Sequence, residues 1–185
     1  MESVRVEFDV PAMMRDGTVL RANVYRPAGE GRWPVLLTRL PYGKDYALGS
    51  SVLDPVQAAR RGYVVVVQDT RGRFRSEGDF YPYRAEAEDG FDSVAWAAGL
   101  PAADGRVGMY GASYFGQTQW LAAVVQPPAL KAIAPYITWD DCFHGHVYRH
   151  GALELGMIVS WSLGMGFDTA VRQAGGDRLA IGRAW

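Results

Sequence analysis

The chain has 185 residues, 19 Lys and Arg against 20 Asp and Glu, a net charge of −1 and one cysteine. That length fits one domain, or a domain with part of another, and allows roughly 70% of the unfolded surface to be buried. A composition 49% hydrophobic and 21% charged is globular, and its near-neutral balance leaves no electrostatic footprint for nucleic acid or an anionic membrane. Cys142 alone excludes an internal disulfide framework and an all-cysteine zinc site. The opening MESVRVEFDV lacks a signal-peptide pattern, and no apolar stretch reaches about 20 residues. A soluble, cytoplasmic protein is expected.

Residues 3–10 alternate apolar and polar side chains, the pattern of a half-buried strand. Asp16-Gly17 predicts a turn into a second strand over Thr18–Tyr25, and Trp33–Leu40 reads as a third. The pattern then changes. Asp54-Pro55 is a helix start, with the cap at Asp54 and proline at the first helical position, and the helix ends near Gly62. Tyr63–Val67, YVVVV, is apolar on both faces and predicts a strand inside a parallel sheet. Residues 84–99 read as a helix with an acidic first half. Val107–Tyr110 reads as a buried strand, Tyr114–Val125 as a helix and Ile133–Ile137 as a strand. Alternation of strand and helix from residue 54 onward predicts an α/β fold with right-handed crossovers. Gly151–Trp185 reads as one helix and the start of something further.

The chemistry concentrates at Val107–Gly116, VGMYGASYFG. A short apolar strand runs into Gly-x-Ser-x-x-Gly and then a helix, with the last glycine one residue later than in the usual nucleophile elbow. A serine on so tight a turn needs small neighbours. Gly111 supplies room before Ser113, Gly116 lets the helix pack closely, and the helix N-terminus aims N–H groups at developing negative charge. A plain strand–turn–helix with a serine cap is the other reading of these residues. Arg39–Lys44, RLPYGK, follows the third strand, where hydrolases of this layout place a second oxyanion donor. Tyr42 stands there, either as that donor through its hydroxyl or as an ordinary half-buried aromatic. Gln68–Gly78 is an arginine-rich loop at a strand's carboxyl end, and Asp69 with Arg71 is expected to form an ion pair that holds it.

These stretches carry a resemblance. MMRDGTVLRANVYRP, RLPYGK, GYVVVVQDTRGRFRSEGDF, DGRVGMYGASYFG and KAIAPYITWDD resemble, in order and spacing, the X-Pro dipeptidyl-peptidase and cocaine-esterase (CocE/NonD-type) group of α/β-hydrolases. The resemblance implies an α/β-hydrolase fold: a mostly parallel sheet with antiparallel N-terminal strands and flanking helices, incomplete here. Residues 1–140 would form the N-terminal part of the hydrolase domain and 141–185 the beginning of a helical cap. It implies that Ser113 is the acyl-accepting nucleophile, and that Tyr42 through its hydroxyl and Tyr114 through its backbone N–H stabilise the oxyanion. The triad aspartate and histidine are expected beyond residue 185, so the chain alone should be weak or inactive.

Local substitutes fit less well. His144, His146 and His150 follow Asp140-Asp141 in the serine–acid–histidine order, but all five lie within eleven residues. His146 and His150 would share a helical face, and could bind a metal, if a helix began that early. Cys142 reads as a small buried filler. No metal or organic cofactor is expected. The partners expected are a small ester or peptide substrate, with the remainder of the hydrolase or a second copy at the incomplete sheet. The rival reading is a non-catalytic truncated product acting by association.

Overall fold

The structure is a computed structural model that describes residues 3–46 and 51–177, with Leu179 and Arg183. The chain divides into two compact units between Thr138 and Trp139. The last part of the expected C-terminal helical region lies largely outside the described residues.

The first unit is built on a six-stranded sheet. Its strands are β1 (Val4–Met13), β2 (Val19–Pro27), β3 (Trp33–Leu40), β4 (Val64–Asp69), β5 (Ala103–Ala112) and β6 (Leu130–Tyr136), in the spatial order β1-β2-β4-β3-β5-β6. β1 and β2 form the antiparallel hairpin that Asp16-Gly17 predicts, closed by Gly17 N–H donating to Met14 O at 2.9 Å. β4 is antiparallel to β2 on one side and parallel to β3 on the other. β3–β5 and β5–β6 are parallel. The valine strand therefore sits centrally, as its two apolar faces require, at the seam where the sheet changes from antiparallel to parallel.

Three helices cover that sheet: α1 (Pro55–Arg60), α2 (Glu86–Ala98) and α3 (Ser113–Val124). Asp54 caps α1 by accepting from the Val56 and Gln57 amides at 2.9 and 3.1 Å. Strand alternation assigns the two cores. Val64 and Val66 join Leu37 and Met109 under α2 and α3, through Val94, Ala97 and Ala122. Val65 and Val67 face the other way, with Leu40, Tyr110, Phe115 and Ala58 of α1. Each valine removed from water contributes about 1.5–3 kcal/mol.

The second unit holds α4 (Cys142–Gly145), a two-stranded hairpin of β7 (Tyr148–Arg149) and β8 (Ala152–Leu153), and α5 (Leu155–Gln173). Asp141 caps α4 by accepting from the Phe143 amide at 2.7 Å. α4 stops at Gly145, so the helical face that would pair His146 with His150 does not form. Among the described residues no helix is long and apolar enough to cross a membrane.

Candidate active site

The junction of β5 and α3 carries the sharpest geometry. Ser113 is the first residue of α3 and has φ 51°, a left-handed conformation that a non-glycine residue holds only where its surroundings force it. The surroundings do so. Ser113 N–H donates to Ile137 O at 3.1 Å, tying the elbow to the end of β6. Gly111 has φ +145°, and a Cβ there would overlap the Phe115 ring and lie 2.8 Å from Phe115 O. At Gly116 a Cβ would fall 2.8 Å from Thr138 Cβ, so this glycine brings α3 close to the turn after β6. The strand–turn–helix expected from Val107–Gly116 is thus present, with the serine on the strained residue. Its side chain is half-buried, and among the described residues no group hydrogen bonds to it.

Gln119, fully buried, braces the same turn. Its Nε2 donates to Gly111 O at 3.1 Å and Phe115 O at 2.9 Å, and its Oε1 accepts from the Ala134 amide at 2.9 Å. Its one sequence signal is a glutamine among the apolar residues of its helix face, where a buried amide must find partners.

Tyr42 stands beside the elbow. Its ring meets those of Tyr114 and Phe115 edge-on, with centroids 6.4 and 6.3 Å apart. Tyr114 is the second residue of α3, so its N–H lies in the helix's first turn, where backbone donors face outward. The three residues singled out from sequence therefore converge on one place, the carboxyl end of the parallel strands.

Behind Tyr114 lies a buried ion pair. The Tyr114 hydroxyl donates to Glu86 Oε1 at 2.9 Å and accepts from the Tyr83 amide at 3.2 Å, while the Tyr83 ring stacks on it at 4.6 Å. Glu86 is 3.0 Å from Arg39 Nη1, and Arg39, with no exposed surface, donates from Nε to Gln68 Oε1 at 2.9 Å. Burial pushes the Glu86 carboxyl up, against the pull of Arg39. Burial likewise raises the Tyr114 phenol, and the Glu86 charge adds to it. Sequence pattern marks α2 only as acidic in its first half and gives Glu86 no partner.

The loop after β4 corrects one expectation. Arg71 does not pair with Asp69. It forks onto Asp89, with contacts of 2.6 and 2.9 Å, and reaches Asp16 at 2.7 Å. Asp69 closes β4 and turns to the neighbouring loop, where Oδ1 accepts from the Lys44 amide at 2.7 Å. Its carboxyl is pushed up to about 7 by burial, opposed by the Lys44 N–H and the Lys44 charge. Burial alone would lower the Lys44 ammonium. Asp9 at 2.7 Å and Asp45 at 3.0 Å hold it above its usual value.

The histidines all belong to the second unit, and residues 1–138 contain none. His146 stacks on Trp139 with centroids 3.4 Å apart, and burial lowers its pKa. His144 is exposed and 3.9 Å from Asp141. Cys142 accepts from Trp139 Nε1 at 3.1 Å and is half-buried. Among the described residues no three His, Cys, Asp or Glu side chains gather as a metal site.

Sheet order, crossovers and a strained serine at the strand–helix elbow define an α/β-hydrolase. The profile of the X-Pro dipeptidyl-peptidase (S15 family) matches residues 16–184, and the chain belongs to that family. It is 41% identical over 170 residues to the cocaine esterase of Rhodococcus sp. (strain MB1 Bresler), covering 89% of this chain and 30% of that one. A CocE/NonD family hydrolase from Staphylococcus aureus superposes with a TM-score of 0.83 at 31% identity, over 89% of this chain and 33% of that one. An aminopeptidase from a marine sediment Thaumarchaeota archaeon gives 0.72 at 28% identity, over 89% and 30%. The chain thus spans about a third of the length of these relatives.

Proposed function

We propose that this chain carries the nucleophile half of a serine hydrolase that cleaves an ester or amide through an acyl-enzyme. The strained conformation of Ser113 carries the reading, because left-handed backbone at a non-glycine elbow is retained where it exposes a reacting atom. Ser113 Oγ attacks the substrate carbonyl. The negative charge that develops on the carbonyl oxygen is met by the Tyr42 hydroxyl and the Tyr114 N–H. Donors of this kind each contribute about 10²–10³ in rate. A histidine outside residues 1–138 takes the serine proton and returns it to the leaving group, oriented by a carboxylate. Both are expected beyond residue 185, with residues from about 141 beginning the cap that shapes the substrate site. The substrate is a small ester or peptide. A cytoplasmic location belongs to the same proposal, since one cysteine suits a reducing compartment.

Fluorophosphonate labelling followed by mass spectrometry of the Ser113 peptide tests this. Labelling that Ser113→Ala abolishes supports an activated serine. A folded sample that stays unlabelled, even when joined to the missing two-thirds of a relative, would overturn it and favour a chain acting by association.

A further inference from the structure

We propose that Asp69 and Arg73 are positioning residues for Tyr42, fixing its hydroxyl by clasping both ends of the turn that carries it. This rests on the reading of Tyr42 as an oxyanion donor. Tyr42 lies between Pro41 and Lys44, and each flank is held by the loop that follows β4. On one side Arg73 Nε donates to Pro41 O at 2.8 Å. On the other Asp69 Oδ1 accepts from the Lys44 amide at 2.7 Å. A third tie, Thr70 N–H to Leu40 O at 3.1 Å, joins the same two loops at their base. With both ends fixed and φ of Pro41 set by its ring, Tyr42 keeps little freedom beyond its own side-chain torsions. Those torsions are limited by the edge-on contacts with Tyr114 and Phe115.

The choice of residues argues for more than fold stability. Asp69 has no exposed surface and Arg73 is 2% exposed. Burying a carboxylate and a guanidinium is costly, and apolar side chains of similar volume would stabilise a loop as well or better. Both side chains reach backbone groups of the Tyr42 turn. Arg73 also lies over the Phe74 and Phe80 rings, 5.2 and 4.9 Å from their centroids, and Phe80 is 6.2 Å from Tyr114. One guanidinium therefore touches the turn of the first donor and the aromatic wall of the second. Such bracing matters because a donor misplaced by about 1 Å loses most of its effect on rate. The groups facing Asp69 are the Lys44 amide and ammonium, the Arg75 amide at 3.5 Å and the Asp45 carboxylate.

The test labels the 185-residue chain with 3-fluorotyrosine and follows its ten tyrosines by fluorine NMR, with Tyr42 assigned from Tyr42→Phe. Asp69→Ala should move the Tyr42 resonance while those of Tyr63 and Tyr148 stay in place. Asp69→Asn, whose amide oxygen still accepts from Lys44, should return it towards the wild-type position. A role in general stability alone predicts no such rescue at a single tyrosine. Arg73→Met should move the same resonance and decides the matter if Asp69→Ala does not fold. A Tyr42 resonance unmoved in every folded variant would overturn the inference. Fluorophosphonate labelling of Ser113 tests the underlying reading separately. If Tyr42→Phe leaves a measurable labelling rate unchanged, the oxyanion role of Tyr42 fails, whatever the resonances show.

Discussion

Replacing Gly111 by alanine should destabilise the first unit more than the same change at the positive-φ glycines with open space around them, Gly17 and Gly105. The new Cβ would overlap Phe115 Cδ2 and lie 2.8 Å from Phe115 O, against the 3.5–4.0 Å of ordinary contact. The ring can swing away, but the carbonyl belongs to the first turn of α3 and cannot. Overpacking of this kind costs about 1–3 kcal/mol. The backbone adds a second cost, since φ +145° is strained for any L side chain, by about 1–3 kcal/mol. Together they give about 4 kcal/mol. Gly105→Ala is the internal control. Its φ is +89°, but nothing lies within 4 Å of its added Cβ, so only the backbone cost of about 1–3 kcal/mol applies. Urea unfolding followed by tryptophan fluorescence reads both variants. With a slope of about 2 kcal/mol per molar, Gly111→Ala should lower the midpoint by about 2 M, or abolish a cooperative transition. A Gly111→Ala midpoint no lower than that of Gly105→Ala would show that the elbow is not sterically closed, and would remove the physical basis for strain at Ser113.

Glu86→Gln leaves the buried Arg39 guanidinium with Asp89 at 4.0 Å as its remaining anion, and should cost about 3 kcal/mol in urea unfolding. Combining it with Arg39→Met should recover part of that loss, and a double variant less stable than Glu86→Gln alone would contradict the pairing. The Asp69 carboxyl, raised to about 7 from 3.8, favours the protonated form in the folded state. Its contribution is present below about pH 4 and lost as pH rises through about 7, amounting to roughly 4 kcal/mol at 1.4 kcal/mol per pH unit. Subtracting the pH–stability curve of Asp69→Asn from that of the wild type should isolate a fall with rising pH over that window, and a difference that is flat or rises would refute the burial argument. Asp54→Ala removes the acceptor for two amides at the start of α1 and should cost about 1 kcal/mol by thermal unfolding.

Much of the scaffold could be read from local pattern. YVVVV predicts a strand with two apolar faces because burial alternates with period two, and Asp54-Pro55 predicts a cap because only local geometry decides it. The parallel setting was only half the outcome, since β4 pairs antiparallel with β2 on one side. Strand order is set by long-range packing and leaves little trace in a short window. The same limit explains Asp69. Sequence proximity suggested Arg71 as its partner, but alternation at the end of β4 turns Asp69 towards the Lys44 turn and leaves Arg71 to Asp89 and Asp16. Glu86 and Gln119 look like ordinary polar helix residues until the tertiary fold buries them. Ser113 was legible because Gly-x-Ser-x-x-Gly between an apolar strand and a helix constrains backbone and chemistry together.

The placement of β4 between β2 and β3 bears on how the chain acquires its fold during synthesis. β2 and β3 are consecutive in sequence, yet neither pairs with the other: both wait for Val64–Asp69. At about 5–20 residues per second, the interval between making Leu40 and Asp69 is on the order of seconds. Through that interval the β1–β2 hairpin and β3 present open edges, with Leu37 and Val24 still uncovered. The arrival of Val64–Asp69 should therefore close the facing edges of β2 and β3, while the apolar faces around Leu37 and Val24 stay uncovered, and open to chaperones, until α2 and α3 are made.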